Sequence, residues 1–248
     1  MNSELLLKME NVNKRYGKIH AVKDVNLSIN KREIVGLIGN NGAGKSTLIK
    51  TLIGVTTKTS GRFYWLGKRV EIKSVKDSRE LGIEAVYQEQ ALFNKLSISK
   101  NVFMDREPEK TIGPFKIIDY KKMNEIIKPL FVKLKLNIPS LEREVRFCSG
   151  GERQGVAIAR AMHFKAKLVI LDEPTNALSV HAVRKVLSFI EQLKNNNTSV
   201  IFISHNIEHV YSVADRIVVM SHGKKVFDIN KANKSKDDIE KLLTDLSV

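Results

Sequence analysis

Short apolar runs bounded by turn residues alternate with longer stretches of helical spacing along much of the chain. Glu33 to Ile38, Lys167 to Leu171 and Ser199 to Ile203 are apolar almost throughout. Strands of that kind are covered on both faces, as in a parallel sheet flanked by other layers. Two earlier segments differ: Leu5 to Glu10, and Ala21 to Ile29, whose second half alternates apolar and polar like a half-exposed antiparallel strand. Thr59 to Gly67 reads as a turn into a hairpin packed by Trp65, and Gly82 to Tyr87 as a further strand. Helical spacing follows in Ser46 to Ile53, and in Val180 to Lys194 with apolar residues at 183, 186, 187, 190 and 193. Strands followed by helices predict an α/β core.

Between 89 and 164 the strand character falls away. Pro108, Gly113 and Pro114 mark a loop, and Pro129 should kink or break a helix drawn from Tyr120 to Leu136. Cys148 to Gln154 opens an amphipathic run through Ala166, which sets a Ser-Gly-Gly turn at a helix N-terminus. Strands at Arg216 to Met220 and Lys225 to Ile229 flank a Ser221-His222-Gly223 turn, and Ser235 to Asp238 has the capping-box pattern before a short helix. The expected organisation is one domain over 1–248. Residues 1–88 and 165–248 form the core with an antiparallel β subdomain, and 89–164 form a helical insertion.

Composition narrows the setting. With 42% hydrophobic residues in 248, a sizeable core is available. No run reaches the 18 or so apolar residues of a membrane span, the N-terminus has no signal-peptide pattern, and the single cysteine, Cys148, excludes an intramolecular disulfide. A cytosolic protein is expected. The net charge of +15 suits nucleic acid or an anionic membrane face. Its lysines and arginines are spread along the chain, so a solvated basic surface accounts for it as well.

The candidate chemistry is concentrated at strand ends. Gly39-Asn40-Asn41-Gly42-Ala43-Gly44-Lys45-Ser46 matches G-x-x-x-x-G-K-[ST] between a buried strand and a helix, with Thr47 next. Its glycines let consecutive N–H groups point inward to a phosphate at a helix N-terminus, Lys45 reaches the terminal phosphates, and the Ser46 hydroxyl suits magnesium. Asp172-Glu173 closes an apolar strand. Asp172 suits magnesium through water and Glu173 the attacking water; the alternative is a cap on the next helix. His205 ends another strand, where it suits the γ-phosphate or a hydrogen-bonded rim position. Gln88 ends the strand at 82–87 and suits magnesium, the attacking water, or a solvated loop. Tyr16, beside Gly17, offers either a platform for adenine or local packing.

Taken in order, Tyr16, the loop at 39–47, Gln88, Ser149-Gly150-Gly151, Asp172-Glu173 and His205 resemble the ATP-binding cassette family, over essentially the whole chain. The resemblance implies a P-loop NTPase fold and hydrolysis of ATP with Mg2+. In it Tyr16 stacks on adenine, Gln88 couples nucleotide to a membrane partner, His205 is the switch histidine, and the Ser149 turn is the signature motif. It also implies a head-to-tail pair of cassettes, identical or paralogous, in which the Ser149 turn of one covers ATP on the Lys45 loop of the other. Transmembrane permease subunits and, indirectly, a solute-binding protein complete the assembly on the inner face of the membrane. The stretches 82–93, 150–162 and 171–180 are similar to cassettes of ribose- and xylose-type importers, so a sugar is the expected solute. A soluble cassette acting on ribosomes or nucleic acid is the alternative. Two departures stand out: Cys148 and Glu152 where the signature usually reads Leu and Gln, and Ser179 where the loop after the catalytic glutamate usually ends in Asp.

Overall fold

The structure, a computed structural model, describes residues 4–86, 92–134, 136 and 138–245. Its centre is a six-stranded sheet built from β3 (Ile34–Ile38), β6 (Ile83–Val86), β9 (Leu168–Asp172), β10 (Ser199–Ile203), β11 (Arg216–Ser221) and β12 (Lys224–Asn230). The strand order is β12-β11-β3-β10-β9-β6, parallel except for the edge strand β12. The apolar runs of the sequence are these inner strands, and their alternate residues serve two cores. Ile34, Ile38, Val169, Leu171, Val200, Phe202, Ile217 and Val219 face a helical layer. Val35, Leu37, Ile170, Ile201, Ile203 and Val218 face the second layer.

That second layer is a four-stranded antiparallel sheet, β2-β1-β4-β5, with β1 at Leu5–Tyr16, β2 at Ile19–Asn30, β4 at Ser60–Trp65 and β5 at Lys68–Val70. Helix α1 (Lys45–Leu52) lies in the same core, burying Leu48, Ile49 and Leu52. The first strand runs further than its sequence suggests. Residues 13–16, beyond the strand expected over Leu5 to Glu10, continue the ladder to the pair Tyr16↔Ile19, and Gly17-Lys18 alone make the turn. Trp65 is buried in the hairpin, as expected. Helix α2 (Val75–Leu81) is opened by a reciprocal Ser74–Asp77 capping box that the sequence reading passed over.

The helical side carries α3 (Ile98–Phe103), α4 (Tyr120–Lys133), α5 (Gly150–His163), α6 (Val180–Asn195), α7 (Ile207–Val213) and α8 (Lys236–Asp245). Two readings of the insertion need correction. Pro129 does not break α4, which runs through it to Lys133. Both Pro129 and Glu125, whose carbonyl loses its usual donor, are exposed residues, so the missing bond falls on the solvent side of the helix. The loop marked by Pro108 and Gly113-Pro114 contains a two-stranded ribbon, β7 (Glu109–Ile112) and β8 (Phe115–Ile118), with Gly113-Pro114 as its turn. In α6 the buried stripe is Val183, Val186, Phe189, Ile190 and Leu193; Leu187 packs at its margin.

Candidate nucleotide site

Parallel pairing sets the site. Leu37 of β3 pairs Ile203 of β10, and Ile203 pairs Asp172 of β9, so three strands end on one row. One step beyond that row lie Ser204 and Glu173, and two steps beyond it lie His205 and Gly39, the start of the glycine loop. Two strand spacings, about 10 Å, separate the loop from the carboxylates. This is the carboxyl edge of the sheet, where ligands bind in open α/β folds.

The loop is held open by its own backbone. Gly39 (φ +148°) and Gly44 (φ +95°) occupy conformations that L side chains rarely adopt. A Cβ at Gly39 would lie 2.2 Å from the Met220 carbonyl oxygen, and one at Gly44 would lie 2.5 Å from that of Ala21. Helix α1 starts at Lys45 with no side-chain cap and no acidic residue in its first turn, so its first N–H groups are left to an outside anion. Lys45 Nζ donates to the carbonyls of Gly39 (2.5 Å) and Asn40 (3.1 Å), folding over the loop. Burial lowers its pKa, opposed by the negative charges of Glu173 and Asp172. The loop from Asn41 to Thr47 lines a cavity of about 380 Å³ together with Ile19, His20, Ala21, Lys23, His222 and Gly223.

Opposite the loop, Glu173 is fixed tightly. Its backbone is left-handed (φ +50°), an uncommon state for a side-chain-bearing residue and one found at functional positions. Its Oε1 accepts from the His205 amide (3.0 Å) and lies 2.9 Å from His205 Nδ1, while Oε2 accepts from the Ser204 hydroxyl (3.0 Å). An ionised carboxylate only accepts, so Nδ1 carries the proton in this contact and Nε2 faces away from Glu173. The His205 side chain is 64% exposed and Glu173 only 16%. Burial raises the Asp172 pKa, Glu173 raises it further, and Lys45 and Lys50 pull it back. No group of three or more His, Cys, Asp or Glu among the described residues forms a cage for a metal. A single half-buried carboxylate and a hydroxyl beside a phosphate loop are what magnesium uses, since it takes most of its ligands from phosphate and water.

The remaining predicted residues are distributed as follows. Tyr16 stands at the end of β1, 46% exposed, beside the cavity-lining Ile19, with Lys14 Nζ 4.7 Å from its ring centre. Gln88 lies outside the described residues. Ser149, Gly150 and Gly151 line a different cavity, about 360 Å³, with Glu152, Ala177, Leu178 and Ser179 among its other walls. The Ser149 turn and the phosphate loop therefore line separate cavities of the one chain. Ser149 caps α5: its Oγ accepts from the Glu152 amide (3.2 Å), and Glu152 Oε2 accepts from the Ser149 amide (2.6 Å). Glu152, a departure at sequence level, is thus half of a capping box. Ser179, the other departure, caps α6 through the Ala182 amide. Sequence reasoning missed Ser204, His20 and His222. Ser204 was detectable as the hydroxyl ending a buried strand, whereas the other two reach the cavity only through strand pairing.

The family comparison supplies the decision: residues 22–176 match the ABC transporter family. The chain belongs to that family. It is 42% identical to the xylose/arabinose import ATP-binding protein of Sulfolobus acidocaldarius, over 98% of this chain and 95% of the relative. It is 38% identical to the fructose import ATP-binding protein of Rhizobium meliloti, again over 98% and 95%. Identity to the ribose import ATP-binding protein of Caldanaerobacter subterraneus is 32% over 97% of this chain, which spans 48% of that relative. A solved ATP-binding cassette of an ABC transporter in its ADP conformation shares the fold, with a TM-score of 0.83 at 24% identity, over 98% of this chain and 96% of that one. Among the described residues no helix is long and apolar enough to cross a membrane.

Proposed function

We propose that this chain is the ATP-hydrolysing subunit of a sugar importer, working as a pair of cassettes beneath transmembrane permease subunits. The observation that carries the reading is the common row on which the phosphate loop, Asp172-Glu173 and Ser204-His205 end. The names of the similar import proteins support a sugar as cargo, and they give no support to the nucleic-acid alternative.

In this reading the N–H groups of residues 39–44 and the α1 N-terminus bind the phosphates, Lys45 leaves the loop carbonyls for the β- and γ-phosphates, and Tyr16 covers the adenine. Ser46, Asp172 and Gln88 hold magnesium, which when bound neutralises charge building on the phosphate oxygens. Glu173 orients and deprotonates the attacking water, and His205 turns its ring N–H from Glu173 to donate to the γ-phosphate. Ser204 keeps the carboxylate turned toward that point.

A partner cassette supplies the second anion site. Ser149 uses its oxygen as the cap acceptor, which leaves its hydroxyl proton free to donate across the interface to a γ-phosphate. Hydrolysis removes that bridge and lets the pair open. Permease contact falls to a groove of about 290 Å³ beside β6, the strand that leads to Gln88. Its rim exposes Val55, Val75 and Phe93 above Arg79, Glu84 and Arg160. A solute-binding protein acts outside the cell and reaches this subunit only through the permease.

The test is Glu173→Gln. It should retain ATP affinity, lower turnover by about 100-fold or more, and accumulate as an ATP-bound dimer on a sizing column. Unchanged turnover would remove Glu173 as the base.

A further inference from the structure

The ribbon β7–β8 stands apart from both cores. None of residues 109–118 belongs to either buried cluster, and all eight strand residues are exposed. A two-stranded ribbon is marginal in water by itself. This one nonetheless carries Ile112 (56% exposed), Phe115 (70%), Ile117 and Ile118 on its surface. The register sorts them by face. Ile112 pairs Phe115 and Lys110 pairs Ile117, so the tip beside the Gly113-Pro114 turn is an apolar cross-strand pair with a second Ile and a lysine behind it. The other face pairs Thr111 with Lys116 and Glu109 with Ile118.

Charge decides between possible occupants. From Glu109 to Lys122 the chain carries Lys110, Lys116, Lys121 and Lys122 against Glu109 and Asp119, within a protein of net charge +15; Lys116 pairs with Glu109 at 3.4 Å, an exposed pair of the kind worth little in water. The ribbon is a two-stranded knuckle, exposed at every strand position, with an aromatic beside its turn. A basic knuckle with Phe and Ile at its end suits a soft anionic interface, where the rings and branched chains enter the headgroup boundary and the lysines remain among the phosphates. Position agrees: Met104 and Asp105 line the groove assigned to the permease, and β7 begins at Glu109.

We propose that the β7–β8 ribbon is a peripheral membrane contact, in which Phe115 and Ile112 insert into an anionic bilayer surface and Lys110, joined by Lys116 as it exchanges Glu109 for phosphate, binds lipid headgroups. This rests on the placement of the subunit beneath a membrane permease. It adds a second attachment, to lipid, that holds the subunit near the bilayer through the opening and closing of the cassette pair.

The experiment is co-sedimentation of the full chain with phosphatidylcholine vesicles, with and without a minority of phosphatidylglycerol, alongside ATPase measurement on the same samples. Wild type should bind the anionic vesicles, weakly the neutral ones, and lose binding as salt rises. Ile112→Ser with Phe115→Ser should weaken anionic-vesicle binding about tenfold, and Lys110→Ala with Lys116→Ala by a similar factor. ATPase activity should be unchanged in both, because these side chains touch neither core nor nucleotide site. Equal binding to both vesicle types, or full binding by the Ser double variant, would overturn the proposal. So would a Ser double variant that keeps vesicle binding and loses the permease, which would make the ribbon a protein contact. Vesicle binding by a wild-type protein with no ATPase activity would support the lipid contact while counting against the proposed function.

Discussion

In the proposed cycle two helix N-termini meet phosphate, and they are finished in opposite ways. Helix α1 begins after a left-handed glycine, with no side-chain cap and no acid in its first turn. Helix α5 begins with a reciprocal Ser149–Glu152 box that satisfies two amides internally and sets a carboxylate at the positive end of the helix. The first is incomplete without an anion and is built to be filled. The second is complete in the free subunit, so its affinity for a phosphate must come from the Ser149 proton and the neighbouring glycine amides, against the charge of Glu152. For the proposed function, that difference predicts tight ATP binding by one subunit and weaker, conditional closure by two.

The largest effects should come from filling or discharging the open terminus. Gly44→Ala forces a side chain into a left-handed conformation, costing about 1–2 kcal/mol, and drives its Cβ against the backbone oxygen of Ala21. That oxygen belongs to a strand and has little room to give. ATP affinity by calorimetry should fall about 100-fold, with Lys45→Ala close behind; wild-type affinity in either would contradict the phosphate-loop reading. Gly150→Ala is the matched substitution at the capped terminus. There the added Cβ meets the tip of the Leu178 side chain at 2.4 Å, and a side-chain tip can turn away. Nucleotide affinity of the single subunit should stay within about twofold of wild type while ATP-dependent dimerisation weakens. Equal damage to monomer affinity in both variants would erase the distinction between the two termini.

The open terminus was legible in the sequence because everything it needs is contiguous: apolar strand, glycine spacing, lysine, apolar helix. The capped one was only half legible. Ser149 could be placed at a helix start, but Glu152 was read there as a departure from a motif, since its bond to the Ser149 amide is a matter of geometry. The row that joins Glu173, Ser204 and the loop depends on pairing between strands far apart in sequence, which apolar runs predict in kind but not in register. The ribbon at 109–118 escaped for a different reason. Strands exposed on both faces have no burial alternation, so its Gly-Pro turn and Pro108 looked like loop.

Glu152→Gln isolates the charge, because glutamine preserves the capping box. Thermal stability should change by less than about 0.5 kcal/mol, and removing one negative charge from a helix N-terminus is worth about 0.3–1 kcal/mol toward an incoming phosphate. The ATP concentration for half-maximal dimer, read on a sizing column in the hydrolysis-deficient Glu173→Gln background, should fall about two- to fivefold. No shift would mean that the carboxylate points away from the phosphate in the closed pair.

The smallest effect tests the ligand-free site. Burial and Glu173 hold the Asp172 pKa above its ordinary 3.8, so the folded protein binds that proton more tightly than the unfolded chain. The resulting stabilisation is fully present below pH 3.8 and is lost as pH rises through the folded value, leaving an ionised Asp172 as a cost at neutral pH. Asp172→Asn should therefore raise the nucleotide-free melting temperature at pH 7, by no more than about 2–4 °C for roughly 1 kcal/mol in a chain of this size. With magnesium and ATP the order should reverse, because the wild-type carboxylate then has its cation and the variant does not. A variant less stable than wild type in both conditions would show that Asp172 contributes through hydrogen bonding in the free protein, and the open end of the sheet would then be less dependent on its ligand than the comparison with α5 requires.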